Sequence, residues 1–299
     1  MQQYIVEYTD PNDSSSMSRQ IDDPLTSVLL ELKALREATL PITMGHQVHA
    51  LFLRLIARTD QALSARLHNE PRYRPFTLSP LLDVHSQGGR IQLTEGQTCY
   101  IRITLLDRGY LWHCLSIPLL EEGPIDVRLG EATFKVTRLL STPAADNRHR
   151  IAKMSWKLLS ELAPADAVTL SFKSPTAFNI NGDYFALFPE PQLVWDSLMR
   201  VWNTYAPRML HVDKQAVRDF VHRHVAVTAC TLSTHTLRYP AYTQKGFCGH
   251  CTYAVQECDE QAAQVTRLAV FASYAGIGYK TTMGMGQAHA ELHYGRRLR

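Results

Sequence analysis

The sequence lacks any apolar run that approaches the length of a membrane span. Its first residues, MQQYIVEYTDPND, also lack the basic and apolar segments that a secretory signal peptide needs. The polar stretch that they open, residues 1–23, predicts a mobile leader with at most a short strand at residues 4–8. We therefore expect a cytoplasmic protein that has no membrane partner.

The sequence also lacks a strong excess of charge of either sign. Its 299 residues include 31 Lys and Arg against 28 Asp and Glu, a formal net charge of +3. This near-equality of basic and acidic residues does not indicate any class of partner. A basic surface would therefore have to be confined to one part of the protein. The tail at residues 295–299 (GRRLR) is one candidate, and a solvated, frayed tail is the alternative.

Cysteine is scarce, and the Cys-x-x-Cys pair at Cys248 and Cys251 has no second pair to accompany it. A tetrahedral structural zinc site therefore cannot be closed from two such pairs. The stretch FCGHC copies a thiol redox motif, but such a site needs its first cysteine at a helix N-terminus. The residues that follow, 252–256 (TYAVQ), predict a strand instead. We expect no metal and no cofactor, and a thiol oxidoreductase acting through this pair is a remote alternative.

The common phosphate-binding motifs are absent, yet glycine is dense at residues 274–287 (YAGIGYKTTMGMGQ). Walker and Rossmann loops join a strand to a following helix, whereas here a helical pattern comes first. Two Gly-hydrophobic-Gly steps frame a lysine and two threonines. Glycines permit close backbone approach, and unpaired N–H groups, a lysine and hydroxyls suit a polyanionic backbone. The stretch predicts a nucleic-acid contact, with an ordinary turn as the alternative.

Histidines cluster around the first predicted helix, residues 46–57. His46 and His49 share one helical face, offset from the apolar stripe, so neither has to belong to the core. His68 follows a second helical segment, 61–67, and a helix hairpin would bring it back towards His49. Acid–base cleavage of a nucleic-acid backbone needs one group to take the proton of the nucleophile, another to protonate the leaving oxygen, and a cation for the charged intermediate. The pKa of histidine suits both proton transfers.

The order of predicted elements approximates β-α-β-β-α-β over residues 24–143, a ferredoxin-like arrangement. The polar residues 143–150 predict a link, and residues 150–299 a second domain of similar size. That domain is expected to hold strands at 168–173, 225–232, 249–256 and 287–292 with helices between them. Periodicity alone gives an α+β protein that has two domains.

The succession of a helix, GIGYKTTMGMG and a final strand resembles the C-terminal signature of the RAMP superfamily. Within it, the chain resembles the CRISPR-associated endoribonucleases that cut precursor CRISPR RNA within its repeats. The resemblance implies two tandem ferredoxin-like (RRM-like, βαββαβ) domains, the first carrying catalytic histidines. It also implies that the glycine-rich loop binds RNA through Gly276, Gly278, Tyr279, Lys280, Thr281, Gly284 and Gly286.

A second match supports the family in the N-terminal half. Family members often show Gly-x-x-x-His-Ala-x-Phe-Leu, then Leu-His, then Pro-Phe-Thr-x-Ser. The chain has GHQVHALFL at residues 45–53, LH at 67–68 and PFTLS at 75–79. The glycine signature alone is not specific for cleavage, because non-catalytic RAMP proteins also carry it, so this second match favours the nuclease.

The resemblance also implies roles for individual residues. Catalytic histidines of the family correspond to His49 and His68, and a lysine that some members use corresponds to Arg74. The tyrosine that the family uses in the first helix has no counterpart here, because Leu53 occupies the matching position. His49 is therefore expected to share the acid–base work with His68, and Arg74 to stabilise charge.

The activity that the resemblance implies is metal-independent endoribonucleolytic cleavage. Attack by a 2′-OH in the CRISPR repeat of precursor CRISPR RNA would leave a 5′-OH and a 2′,3′-cyclic phosphate. The protein is expected to be a monomer or homodimer, with CRISPR effector or adaptation proteins as further partners. The alternative is a non-catalytic RAMP-fold RNA-binding subunit of an effector complex, and the histidine pair argues against it.

Overall fold

A computed structural model of the chain describes residues 20–70, 74–107, 109–239 and 241–295. The chain divides into two compact units, Met1–Met154 and Ser155–Arg299. The predicted strand at residues 4–8 and the arginines of the basic tail lie outside the described residues. Within the described ranges, no helix is both long enough and apolar enough to cross a membrane.

The first unit combines helices with strands of very different lengths. Its strands are β1 (Pro24–Ala34), β2 (Ala38–Pro41), β3 (Phe76–Leu78), β4 (His85–Gln87), β5 (Arg90–Leu93), β6 (Thr98–Leu105), β7 (Ile125–Leu129), β8 (Ala132–Leu140) and β9 (Ala152–Ser155). Its helices are α1 (Gly45–Ala57), α2 (Gln61–Asn69) and α3 (Gly109–Glu121).

The main sheet of the first unit has the order β3-β6-β1-β8-β7, and β9 also pairs with β1. Neighbours β1, β3, β6, β7 and β8 run antiparallel. The succession β8-β1-β6-β3, with helices after β1 and after β6, is the ferredoxin-like order, so that prediction is confirmed. Buried Val28, Leu30 and Leu32 of β1 share one core cluster with Val48 and Phe52 of α1.

Helix α3 contains Pro118 and still continues to Glu121. Proline removes the N–H that would bond the carbonyl four residues earlier. That carbonyl, on Cys114, instead accepts a hydrogen bond from Thr59 Oγ1 at 3.3 Å. The helix therefore passes its proline without an unsatisfied acceptor.

The segment predicted as a link, residues 143–150, is bonded to the first unit. The Arg150 guanidinium donates to Asp146 at 2.8 Å and to Asp83 at 3.0 Å. The backbone carbonyl of Arg150 accepts a hydrogen bond from Ser27 Oγ at 3.0 Å. Burial alone would raise the pKa of Asp146, but the hydrogen bonds from Arg150 hold that pKa below its usual value. The division of the chain lies after this segment, at Met154.

The second unit repeats the ferredoxin-like order. Its elements are α4 (Trp156–Ser160), β10 (Ala167–Thr176), β11 (Phe178–Asn179), β12 (Phe185–Ala186), α5 (Pro191–Tyr205), α6 (Lys214–His224), β13 (Val225–Arg238), β14 (Thr243–Val255), α7 (Glu260–Ala275) and β15 (Ala288–His293). The sheet order β13-β14-β10-β15, with helices after β10 and after β14, confirms the second predicted domain fold.

Strands β13 and β14 form a hairpin that is longer than the sequence predicted. The pairing runs from Val225↔Val255 to Arg238↔Thr243. Most of β13, at the edge of its sheet, is exposed on both faces, so it shows no alternation of apolar and polar residues. The turn between these strands lies close to the glycine-rich loop, as described below.

Candidate functional site

His49 lies on the buried side of α1, with only 5% of its surface exposed. Its ring is 5.9 Å from the ring of Phe76 on β3. The offset of His49 from the apolar stripe therefore does not keep it out of the core, whereas His46, three residues earlier, is exposed. The approach of β3 widens the buried face of α1, so a histidine offset from the apolar stripe is still covered.

His68 occupies the last turn of α2 and is exposed. The structure brings Arg74 to the same place: its Nε donates to the Leu67 carbonyl at 2.6 Å and its Nη2 to the His68 carbonyl at 2.9 Å. The last carbonyls of a helix have no partners within the helix, and a cation is favourable there. Arg74 thus caps α2 and holds the backbone that carries His68.

Leu53 is buried in the core, so this position of α1 offers no acid or base. Its backbone carbonyl accepts a hydrogen bond from Ser64 Oγ of α2 at 2.8 Å. Asp60 caps the start of α2 by accepting from Leu63 N at 2.8 Å. These bonds close the α1–α2 hairpin that the sequence predicted.

The glycine-rich loop follows α7 and has a left-handed backbone at several positions. Gly276, Gly278, Gly284 and Gly286 have φ of +67°, +84°, +84° and +69°. A Cβ atom at Gly278 would overlap the carbonyl oxygen of Ala177, and one at Gly286 would overlap that of Ile277. These glycines are therefore required by packing inside the second unit as well as by backbone conformation.

The loop amides that we expected to be unpaired are largely bonded within the protein. Ile277 N donates to Gly286 O at 2.8 Å, and Gly286 N donates to Pro175 O at 3.1 Å. Gly278 N donates to Ser197 Oγ at 2.9 Å. The expectation was thus wrong for these donors, and side chains are left as the main groups through which this part of the loop can contact RNA.

Lys280, at the centre of the loop, lies among tyrosine rings. Its Nζ is 5.0 Å from the ring centroid of Tyr239, 4.1 Å from that of Tyr242 and 5.1 Å from that of Tyr279. It also hydrogen-bonds the hydroxyl of Tyr242. Burial lowers the pKa of Lys280. Sequence reasoning missed Tyr239 and Tyr242, because nothing in their local sequence connects them with a loop some forty residues further on.

Tyr279 and Thr281 flank this lysine and are both half-buried. The Tyr279 ring is 5.2 Å from the ring of Phe185 on β12, and the Tyr279 amide donates to Ala177 O at 2.9 Å. The loop is therefore held both by a backbone hydrogen bond and by a contact between aromatic rings.

Cys248 and Cys251 lie within β14, so neither occupies the first turn of a helix. Burial raises the pKa of Cys248 to about 11 and also raises the pKa of Cys251. A redox-active thiol requires the opposite shift. The thiol oxidoreductase alternative is therefore wrong. Over the part of the chain that the structure describes, no group of three or more His, Cys, Asp or Glu residues is placed to hold a metal ion.

The chain has two sheets of ferredoxin-like order, and in the second unit a glycine-rich loop joins the last helix to the last strand. Together these features define a RAMP-type protein. Comparison with known families narrows this class. A model of the CRISPR Cas6 N-terminal domain matches residues 25–159, and a model of the CRISPR-associated endoribonuclease Cas6 matches residues 170–288. The chain belongs to the Cas6 family.

Curated relatives match over part of the chain. The CRISPR-associated endoribonuclease Cas6 of Streptococcus thermophilus is 30% identical over 118 residues, which cover 40% of this chain and 48% of the relative. The corresponding protein of Mycobacterium tuberculosis is 30% identical over 123 residues, which cover 39% of this chain and 36% of the relative. The match thus spans less than half the length of either relative.

Solved structures match over most of the chain. A Cas6 (TTHB231) product complex has a TM-score of 0.75 at 27% identity, covering 90% of this chain and 100% of that chain. Thermus thermophilus Cas6 (TTHB231) has a TM-score of 0.66 at 26% identity, with coverage of 90% and 98%. A Cas6 (TTHA0078) substrate mimic complex has a TM-score of 0.66 at 25% identity, with coverage of 90% and 100%.

Replacing Gly286 by alanine should lower the free energy of unfolding by about 2–4 kcal/mol, since the new methyl group meets the Ile277 carbonyl at a left-handed φ. Gly182→Ala is the matched control: its φ is +88°, but no atom lies within 4 Å of the added Cβ. Denaturant unfolding of both variants measures the difference. Equal losses would show that the close contact contributes nothing beyond the backbone conformation.

Alkylation by iodoacetamide near neutral pH should modify exposed Cys258 well before Cys248, because only a thiolate reacts and burial raises the pKa of Cys248 to about 11. The rate at Cys248 should climb as pH approaches that value. Mass spectrometry of the labelled peptides measures both rates. Faster labelling of Cys248 than of Cys258 would reopen the redox interpretation.

Proposed function

We propose that this chain is a metal-independent endoribonuclease that binds CRISPR repeat RNA and cuts precursor CRISPR RNA within the repeat. The observation that carries the proposal is the α1–α2 corner of a Cas6-family chain, where exposed His68 is held beside the Arg74 guanidinium. His49 lies on the adjoining helix, against Phe76. These are the residue types that metal-free RNA cleavage requires.

In the proposed reaction the 2′-oxygen of a repeat nucleotide attacks the adjacent phosphorus, and a histidine takes its proton. The bond from phosphorus to the 5′-oxygen breaks, and the second histidine protonates that oxygen. The products are a 2′,3′-cyclic phosphate and a 5′-OH. Arg74 stabilises the additional negative charge on the phosphoryl oxygens at the pentavalent stage.

Exposure divides the histidines into different roles. His68 is open to solvent and can meet RNA directly, so we assign it the principal proton transfer. His49 is 95% covered and is held by Phe76, so it reaches the reaction only at its uncovered edge. A covered imidazole has a fixed orientation, which favours proton transfer when the substrate is correctly placed.

The glycine-rich loop, which comprises Gly276, Gly278, Tyr279, Lys280, Thr281, Gly284 and Gly286, is the proposed RNA-binding element of the second unit. Structures named as product and substrate mimic complexes of Cas6 support RNA as the ligand. Because many loop amides are bonded internally, the glycines act chiefly by shaping the loop. CRISPR effector or adaptation proteins are proposed as further partners of a monomeric or homodimeric protein.

The structure also contains observations that favour the non-catalytic alternative, an RNA-binding subunit of an effector complex. His49 fills core space, and Arg74 satisfies helix-end carbonyls, so both have structural roles without any cleavage. His68 distinguishes the two functions, because its exposed side chain has no comparable structural role.

The test is cleavage of a labelled repeat RNA from the same genome in the presence of EDTA. His68→Ala should lower the single-turnover rate by about 10²- to 10⁴-fold, since a proton transfer is lost, while RNA affinity changes little. His49→Ala should also lower the rate, with some loss of stability. His85→Ala, at an exposed histidine of β4, is the matched control and should cleave normally.

The outcomes separate the functions. Binding of the repeat without cleavage by the wild type would favour the non-catalytic subunit. Cleavage that EDTA abolishes would contradict metal independence. Undiminished cleavage by His68→Ala would remove His68 from the mechanism.

A further inference from the structure

Lys280 joins two segments that are distant along the chain. Tyr279 and Lys280 belong to the glycine-rich loop, whereas Tyr239 and Tyr242 flank the turn between β13 and β14. The two turn tyrosines stack with their ring centroids 4.7 Å apart, and Tyr239 N donates to Tyr242 O at 2.9 Å. Tyr239 and Tyr242 are therefore fixed against each other, and the Lys280 ammonium lies over both of their rings.

The backbone at Lys280 shows that its placement is specific. Its φ is +56°, in the left-handed region that side chains other than Asn and Asp seldom adopt. Asparagine or glycine would occupy this position at lower cost. The cation of Lys280 over the aromatic faces is an interaction that offsets strain of this kind.

The end of the β13–β14 hairpin, which Lys280 contacts, carries positive charge, and RNA attracts positive charge. Arg238 precedes the turn and Lys245 follows it, and both side chains are exposed. Phe185 packs against Tyr279, so the glycine-rich loop is anchored on β12 as well. The loop and the hairpin end thus form neighbouring parts of one surface of the second unit.

We propose that Lys280 is a positioning residue whose ammonium clamps the β13–β14 turn to the glycine-rich loop, so that both contact RNA as one preformed surface. The proposal rests on RNA binding by this loop, as proposed above. It assigns Lys280 a role through the tyrosines, in place of a direct bond to an RNA phosphate.

Salt dependence of RNA binding distinguishes these two roles. Each phosphate contact that a protein makes steepens the fall of log K with log salt concentration by about 0.7 to 0.9. Loss of a direct Lys280 contact would therefore flatten the slope by that amount. Loss of a clamp weakens binding while the number of phosphate contacts in the complex, and hence the slope, stays the same.

The experiment measures binding of fluorescent repeat RNA to the full chain between about 50 and 200 mM salt. We expect Lys280→Met to bind about tenfold more weakly with an unchanged slope, because the cation is lost and the chain length is kept. Lys280→Arg should restore most of the affinity. Tyr242→Leu should match Lys280→Met, and Tyr242→Phe should retain most binding because it keeps the ring.

Controls use residues of the same types outside the cluster. Lys157→Met, at an exposed lysine of α4, and Tyr294→Leu, at an exposed tyrosine after β15, should leave affinity unchanged. A flattened slope in Lys280→Met together with full affinity in Tyr242→Leu would overturn the clamp and establish a phosphate contact.

A second readout needs no RNA. Hydrogen exchange of the Tyr239 and Tyr242 amides should accelerate in Lys280→Met relative to Lys157→Met, because the turn is released from the loop. Unchanged exchange would overturn the clamp whatever the RNA data show. A wild type that binds no repeat RNA would overturn the proposed function instead, and exchange alone would then decide the clamp.

Discussion

The close approach of backbone to backbone around the glycine-rich loop is the constraint on which the second unit depends. The carbonyls of Ala177 and Ile277 occupy the space that a side chain at position 278 or 286 would need. Because the loop can lie this close to the end of β10, the chain leaves α7 and enters β15 in register with β10, pairing Phe172 with Ala288. The last strand of the ferredoxin-like sheet therefore follows from the same glycines that shape the proposed RNA-binding loop.

The constraint in the first unit is different, because polar groups have to lie beside a packed helix hairpin. Helix α1 is covered on one side by the sheet and α3, and its carbonyl at Leu53 is tied to α2 through Ser64. His68 is then exposed because α2 ends there, and Arg74 returns to satisfy the helix end. A single guanidinium thus stabilises the fold and stands beside the proposed proton donor or acceptor. At this corner one residue, Arg74, has both a structural role and a proposed chemical role. In the second unit the glycine-rich loop has both kinds of role.

Several elements were predictable because their signals are local. The apolar stripe of α1 and the strand that follows Cys248 are each encoded within a few residues. The burial of His49 was not predictable from helical spacing, because the width of a helix's covered face depends on its neighbour, here Phe76. The small sheet of β2, β5 and β4 was missed since strands of three or four residues show too little periodicity. The length of the β13–β14 hairpin was underestimated because an edge strand exposed on both faces lacks alternation.

The sequence by itself determined that the glycines of the loop could turn left-handed, and it determined the order of elements that gives two ferredoxin-like units. These properties depend on the conformational preferences of neighbouring residues, which act before any distant contact forms. Only the tertiary structure decided which side chains meet: the ammonium of Lys280 with Tyr239 and Tyr242, and the amide of Gly278 with Ser197. Such contacts join residues about forty or eighty positions apart, so they depend on the path of the whole chain and leave no mark on local spacing.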